Sequence, residues 1–284
     1  MTAPIDPDQT QSLPGEESRM HPRPQHDDAR YRGSGKLQGK VAVITGADSG
    51  IGKAVAIAFA KEGARCVLSY LCEHDDAQDA RRQVEQHGAQ CMLLPGDLRR
   101  RAHCEHVVDE AMRRFGAIDV LVNHAGEQYQ TDTLEDVDDA SLQRVFETNV
   151  YSMFHLTRAA LRHMKPGAAI VNTVSVVAYR GQPLLLDYSA SKGANLAFTR
   201  ALAAALAPQG IRVNAVAPGP IWTPLIPASF SPDKLRSFGS DVPMQRPGQP
   251  FELAPAYVYL ASDIDSSYVT GQVIHVNGGV PVNG

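Results

Sequence analysis

From Lys40 onward, short apolar runs of strand length alternate with longer stretches whose apolar positions recur about every 3.6 residues. The runs are "KVAVIT", "RCVLSY", "QCMLLPG", "IDVLVNH", "AAIVNTVS", "IRVNAVAP" and "QVIHVNGG". They are continuously apolar rather than alternating, which predicts strands covered on both faces. Between them lie helical patterns such as Val55 and Phe59 leading to Lys61–Gly63, or Val107, Val108, Ala111 and Met112. Strand and helix in alternation make βαβ units. The pattern therefore predicts an α/β fold over residues 38–284: one domain, a doubly wound seven-stranded parallel sheet with helices on both faces.

Residues 1–37 break the pattern. They carry five prolines, scattered charge and hardly any apolar periodicity. They read as an extended arm, either disordered or lying along a neighbouring subunit, with Met20 and Tyr31 as anchors.

Composition narrows the partners. A formal charge of -4 and a pI near 6.2 leave no basic field to collect phosphate backbones, so nucleic acid is not expected. Apolar stretches such as Ala201–Ala207 fall short of the roughly 18 residues of a membrane span, and no basic segment precedes an apolar core near the N-terminus. A cytoplasmic protein is expected. Cys66, Cys72, Cys91 and Cys104 show neither C-x-x-C spacing nor a paired histidine motif. They read as reduced thiols, with no metal implied.

Two stretches carry candidate chemistry. In "TGADSGIG", Gly46, Gly50 and Gly52 stand between a predicted strand and a predicted helix, with Asp48, Ser49 and Ile51 among them. Glycines there let backbone approach a pyrophosphate, whose charge meets free N–H groups and the positive end of the helix; they can equally be simple turn residues. In "YSASK", Tyr188 and Lys192 are four apart, so on a helix they share one face. That spacing alone fits a surface contact as well as a proton-transfer pair. Ser175, 13 positions before Tyr188, ends a predicted strand, and Asn149 in "FETNVYSMF" reads locally as a helix N-cap.

"TGADSGIG" resembles the T-G-x-x-x-G-x-G of the short-chain dehydrogenase/reductase superfamily, and further motifs follow in the family's order across residues 37–284. They are "GDL" (Gly96, Asp97, Leu98), "NHAG" (Asn123 to Gly126), Asn149, Ser175, "YSASK" and "APGPIWT". The resemblance implies a Rossmann fold and an NAD(P)-dependent oxidoreductase, an alcohol dehydrogenase or carbonyl reductase, moving a hydride between nicotinamide and a small alcohol, sugar, aldehyde or ketone. It makes Tyr188 the acid/base and Ser175 the group that orients the substrate oxygen. Lys192 would hold the nicotinamide ribose and, with the oxidised ring, lower the phenol's pKa toward working pH. Asn149 would bend its helix and hold a water near the lysine.

The same resemblance places Asp97 and Leu98 at the adenine, Asn123, Ala125 and Gly126 in the turn beside the cofactor, and Pro218, Gly219, Ile221 and Thr223 along the nicotinamide. It also implies a homotetramer. Two features depart from the family pattern: His124 replaces the second asparagine of N-N-A-G, and the arm is extra. We expect a local structural partner for His124. The arm and "SYLCEHDDA" are similar to a bacterial subgroup of general stress oxidoreductases and relatives of glucose/ribitol dehydrogenase.

The residue about 18 beyond Gly52, where a carboxylate would take the adenosine 2′-OH, is Tyr70. Asp48, Glu73, Asp75 and Asp76 would repel a 2′-phosphate, with Lys53 and Arg65 as offsets, so the balance leans slightly to NAD over NADP. The segment "IPASFSPDKLRSFGSDVPMQRPG" reads as a substrate lid, with Tyr179, Gln182, Ile226 and Phe230 as contacts. The rival readings are a catalytically silent dinucleotide sensor and a 3-oxoacyl thioester reductase.

Overall fold

A computed structural model describes residues 5–282. Its strands are β1 (Val41–Thr45), β2 (Arg65–Tyr70), β3 (Cys91–Pro95), β4 (Val120–Asn123), β5 (Ala169–Thr173), β6 (Arg212–Pro218) and β7 (Val273–Val276), each inside one of the apolar runs. All pair in parallel, in the order β3-β2-β1-β4-β5-β6-β7. The helices are α1 (Gly50–Lys61), α2 (His74–Glu85), α3 (Arg101–Phe115), α4 (Asp139–Phe146), α5 (Ser152–Ala160), α6 (Val177–Arg180), α7 (Leu186–Leu206), α8 (Leu225–Ser229), α9 (Pro232–Arg236), α10 (Ala254–Ala261) and α11 (Asp263–Ser266). None of the described helices is long and apolar enough to cross a membrane.

Side chains leave a strand on alternate faces, so each central strand feeds two cores. Ala42, Ile44, Cys66 and Leu68 pack with Val55, Phe59, Val84, Tyr257 and Leu260 of α1, α2 and α10. Val43, Val67, Leu121 and Ile170 pack with Cys104, Val107, Leu156, Ala159, Ala203 and Leu206 of α3, α5 and α7. The edges differ from the expectation of cover on both faces. Only Leu94 is buried in β3, and β7 is half-buried throughout, because an edge strand has a neighbour on one side only and lies under the rim of the helical layers.

Strand order reverses at β1: β2 and β3 lie to one side, β4 to β7 to the other. The loops leaving β1 and β4 therefore diverge, and a crevice opens at the carboxyl ends of the strands.

The described part of the arm is not the loose segment expected as one of its courses. It packs on its own domain, where Met20 is fully buried with Trp222, Ile226 and Leu235. Tyr31 donates its hydroxyl hydrogen to Glu62 Oε1 at 2.5 Å. The reason is apolar demand: Trp222 and Leu235 lie outside the sheet-and-helix core, and Met20 covers them.

Candidate active site

The glycine turn after β1 is shaped by contacts that only a missing Cβ allows. Gly46, at φ 62°, would place a Cβ 3.0 Å from Ala125 Cα, and Gly52 would place one 2.1 Å from the Gly46 oxygen. Gly50, at φ 52°, would meet Thr223 Cγ2 at 3.1 Å. The turn thus lets β1, the loop after β4 and the segment after β6 converge on the start of α1. Gly46, Asp48, Ser49, Gly50 and Ile51 line the cleft there, whereas Gly52 lies beneath the turn. In the first turn of a helix, amides such as those of Ile51 and Gly52 lack an upstream carbonyl within the helix. Such a cradle fits a pyrophosphate.

At the β2–β3 end the cleft is walled by Tyr70, Leu71, Glu73, Asp97 and Leu98. The Tyr70 hydroxyl bonds His74 Nδ1 at 2.9 Å. The Arg99 fork grips Asp97, with Nη2 2.6 Å from Oδ2, and holds that carboxyl below the usual carboxylate range. Asp48 goes the other way: burial, then the Glu73 charge, pushes it up to about 7. Neither proposed offset faces this end. Lys53 Nζ is buried between Glu17 at 2.7 Å and Asp79 at 2.6 Å, and Arg65 donates to the Gly39 oxygen at 2.9 Å, at the opposite end of β2.

Ser175, Tyr188 and Lys192 meet on the same cleft. Ser175 stands two residues past the end of β5, not within it, and Tyr188 and Lys192 lie in the first turns of α7. Lys192 Nζ donates to the Thr173 oxygen at 3.0 Å and lies 5.5 Å from the Tyr188 ring centroid. Burial pushes Lys192 down to about 8. The lowered pKa expected for the phenol is the joint effect of Lys192 and an oxidised nicotinamide; the protein's own groups act in the opposite sense. Burial pushes Tyr188 up to about 12, with the neighbouring Ser175 hydroxyl pulling weakly the other way. Taking a phenolate out of water costs more than the surrounding groups return. At neutral pH the Tyr188 phenol therefore keeps its proton.

Asn149 lies in a π-helical turn (Glu147–Tyr151) that joins α4 to α5, so it bends a helix from within and does not cap one. Its Oδ1 accepts from Glu127 N at 2.9 Å, and its Nδ2 donates to the Glu127 oxygen at 2.9 Å and to Ser191 Oγ at 3.0 Å. It is fully buried and sits behind the cleft wall. A Cβ on Gly126 would fall 3.2 Å from Asn149 Oδ1 and 3.4 Å from Lys192 Nζ, so Gly126 is the window between the cleft and both groups.

Asn123 also differs from its expected place. Its Nδ2 donates to Asn172 Oδ1 at 2.9 Å and Thr157 Oγ1 at 3.1 Å inside the sheet, so it braces β4 against β5 and does not reach the cleft. His124 and Ala125 do line it. His124 Nδ1 bonds Thr173 Oγ1 at 3.1 Å, the local partner expected from sequence. Burial and the Lys192 charge push the imidazole down to about 3, which removes it as a second proton carrier.

Pro218, Gly219, Ile221 and Thr223 form the floor toward the lid. Gly219 is close-packed, since a Cβ would sit 2.7 Å from Asn277 Cα. The lid folds as α8 and α9, and Gln182, Ile226, Phe230 and Phe238 face the cleft. Tyr179 does not: its ring packs on His275, centroids 4.7 Å apart. Sequence reasoning missed one wall altogether, the arm residues Leu13, Pro14 and Gly15. Nothing periodic marks them, and only Met20 and Tyr31 signalled an anchored arm.

Comparison with known proteins points to one family. A family model described as enoyl-(acyl carrier protein) reductase matches residues 46–281. The chain is 54% identical over 276 residues to a protein of Arabidopsis thaliana named NADPH-dependent aldehyde reductase 1, chloroplastic, covering 95% of this chain and 96% of that one. It is 50% identical over 285 residues to the glucose and ribitol dehydrogenase of Daucus carota, covering 98% and 97%. Among solved structures, a 3-ketoacyl-(acyl-carrier-protein) reductase from Brucella melitensis complexed with NADH superposes with a TM-score of 0.78 at 33% identity, covering 86% of this chain and 98% of that one.

Proposed function

This chain belongs to the short-chain dehydrogenase/reductase family, and on that premise we propose that it is an NAD(P)-dependent carbonyl reductase or alcohol dehydrogenase acting on small aldehydes, ketones, sugars or polyols. The observation that carries the proposal is the meeting of Ser175, Tyr188 and Lys192 on a cleft that runs unbroken to the glycine turn. Bound there, the dinucleotide supplies the hydride or accepts it.

The chain's own residues do the rest. Hydride transfer to a carbonyl leaves an alkoxide, which needs a proton as it forms. The Tyr188 hydroxyl, held protonated, donates it, and the Ser175 hydroxyl donates a hydrogen bond that fixes the same oxygen. Lys192, anchored on the Thr173 carbonyl, keeps a positive charge beside the phenol as it loses its proton. In that role the lysine stabilises the developing phenolate, although it does not make the resting phenol acidic.

At the adenosine end, Asp48 and Glu73 face the cleft while Lys53 and Arg65 point away, which supports NAD over NADP. Exposed Tyr151 and Phe154, the latter's ring tilted against Phe198 at 4.3 Å between centroids, give the π turn, α5 and α7 an apolar face suited to pairing in a homotetramer. The expected setting is the cytoplasm.

The test mixes pure protein with NADH or NADPH and a panel of aldehydes, ketones, sugars and secondary alcohols, following cofactor absorbance. A 3-oxoacyl thioester belongs on the panel, since the matching family model carries an acyl-carrier name. Tyr188→Phe should cost roughly 10² to 10⁴ in turnover while dinucleotide binding persists. A variant with the parent rate would remove Tyr188 as the donor.

A further inference from the structure

The arm ties together the two sides of the cleft. On the cradle side, Glu17 Oε1 accepts from the Gly50 amide at 2.6 Å, Oε2 accepts from Lys53 Nζ at 2.7 Å, and Glu17 N donates to Asp76 Oδ2 at 2.8 Å. On the lid side, Gln11 N donates to the Pro227 oxygen at 2.9 Å and Trp222 Nε1 donates to the Pro22 oxygen at 2.7 Å. Between these moorings Leu13, Pro14 and Gly15 line the cleft, and Gly15 lies so close to the lid that a Cβ would fall 2.4 Å from the Pro224 oxygen.

Helix α1 explains why Glu17 matters. Gly50 is its first residue, whose amide has no carbonyl upstream within the helix, and the partner it finds is a carboxylate reaching in from the arm; the N-cap Ser49 makes no side-chain capping bond of its own. Glu17 is 5% exposed, and although burial would raise its pKa, His26 and Lys53 hold it below the usual range, so it stays ionised. Taking the Gly50 amide for itself, it leaves the Ile51 amide, on the cleft, to meet a phosphate.

We propose that residues 11–22 are a clasp belonging to the dinucleotide site, in which Glu17 positions the phosphate cradle as a cap supplied from outside the helix and Leu13–Gly15 close the cleft over the cofactor. This rests on the dinucleotide reading above. A cofactor under such a clasp leaves slowly, because departure requires the arm to lift from the cradle or from the lid.

The experiment measures the equilibrium constant and dissociation rate of NADH and NADPH, by nucleotide fluorescence, for the full chain and for three variants of it. Glu17→Ala unhooks the cradle, Glu17→Gln keeps an acceptor while losing the charge, and Gly15→Val wedges the arm from Pro224 without touching the cradle. Glu17→Ala and Gly15→Val should each weaken binding about tenfold and speed dissociation to match, with the loss falling on the cofactor KM more than on kcat; Glu17→Gln should recover part of it. Should Glu17→Ala fail to fold, Gly15→Val decides. Parent-like affinity and dissociation in the folded variants would overturn the clasp and leave the dinucleotide reading standing. A full chain that binds neither nucleotide would overturn both.

Discussion

Two lysines line up for comparison. Lys53 is 2% exposed and Lys192 is 3% exposed, yet their environments push them in opposite directions. Around Lys53, burial pulls the pKa down, but Glu17 and Asp79 outweigh it and the ammonium is held above its usual value. Around Lys192 the named acceptor is a backbone oxygen, that of Thr173, and burial pushes the group down to about 8. A buried charge with two carboxylates belongs to the scaffold, and one left with a carbonyl dipole is poised to answer to whatever enters the cleft. The first fastens the arm to the cradle; the second stands beside the Tyr188 phenol.

Substituting each lysine in turn should give the largest effects and separates the two roles most sharply. Lys53→Met strands Glu17 and Asp79 and should cost roughly 3 kcal/mol of stability in a denaturant melt. Lys192→Met removes a desolvated charge and should change stability by less than about 1 kcal/mol, while turnover falls roughly 10²-fold. Equal melting losses in the two variants would erase the distinction.

A smaller effect is expected from pH. Lys192 supports catalysis in its protonated form and sheds that proton through about 8, so reductive kcat/KM should hold level near neutrality and fall above about 8. Tyr188, at about 12, stays protonated across that range and adds no limb of its own. A flat profile from neutrality to about pH 10 would take the lysine out of the reaction.

The smallest effect concerns the adenosine end. Asp48 ionises through about 7, so the preference for NAD over NADP should sharpen by roughly threefold to tenfold between pH 6 and 8. Asp48→Asn should flatten that slope; an unaltered slope would place the discriminating charge elsewhere, with Glu73 next to examine.

Much of this was legible in short stretches. The sheet could be read because every strand is a compact apolar run, and the Tyr188–Lys192 pair because four residues make about one helical turn. What local reading could not reach were balances between distant groups. Asn123 looks like a cofactor contact in a loop motif, but Thr157 and Asn172, remote in sequence, draw its amide into the sheet. Asn149 looks locally like a cap although the family pattern implies a bent helix, and the bonds to Glu127 and Ser191 carry that helix through a π turn. Tyr188 next to a lysine suggests an acidified phenol, and burial reverses the sign.

By itself, then, the sequence determined the strand and helix pattern, the family and the glycine turn and Tyr188–Lys192 pair of the cleft, because each is written in spacings of a few positions where backbone geometry alone decides who faces whom. Tertiary structure decided where the arm lies, which carboxylate caps the cradle helix and which buried lysine is compensated. Those depend on burial and on charges brought together from 26 to 36 positions away along the chain, as Glu17, Lys53 and Asp79 are, and the free energy of a charge is set by what surrounds it in space.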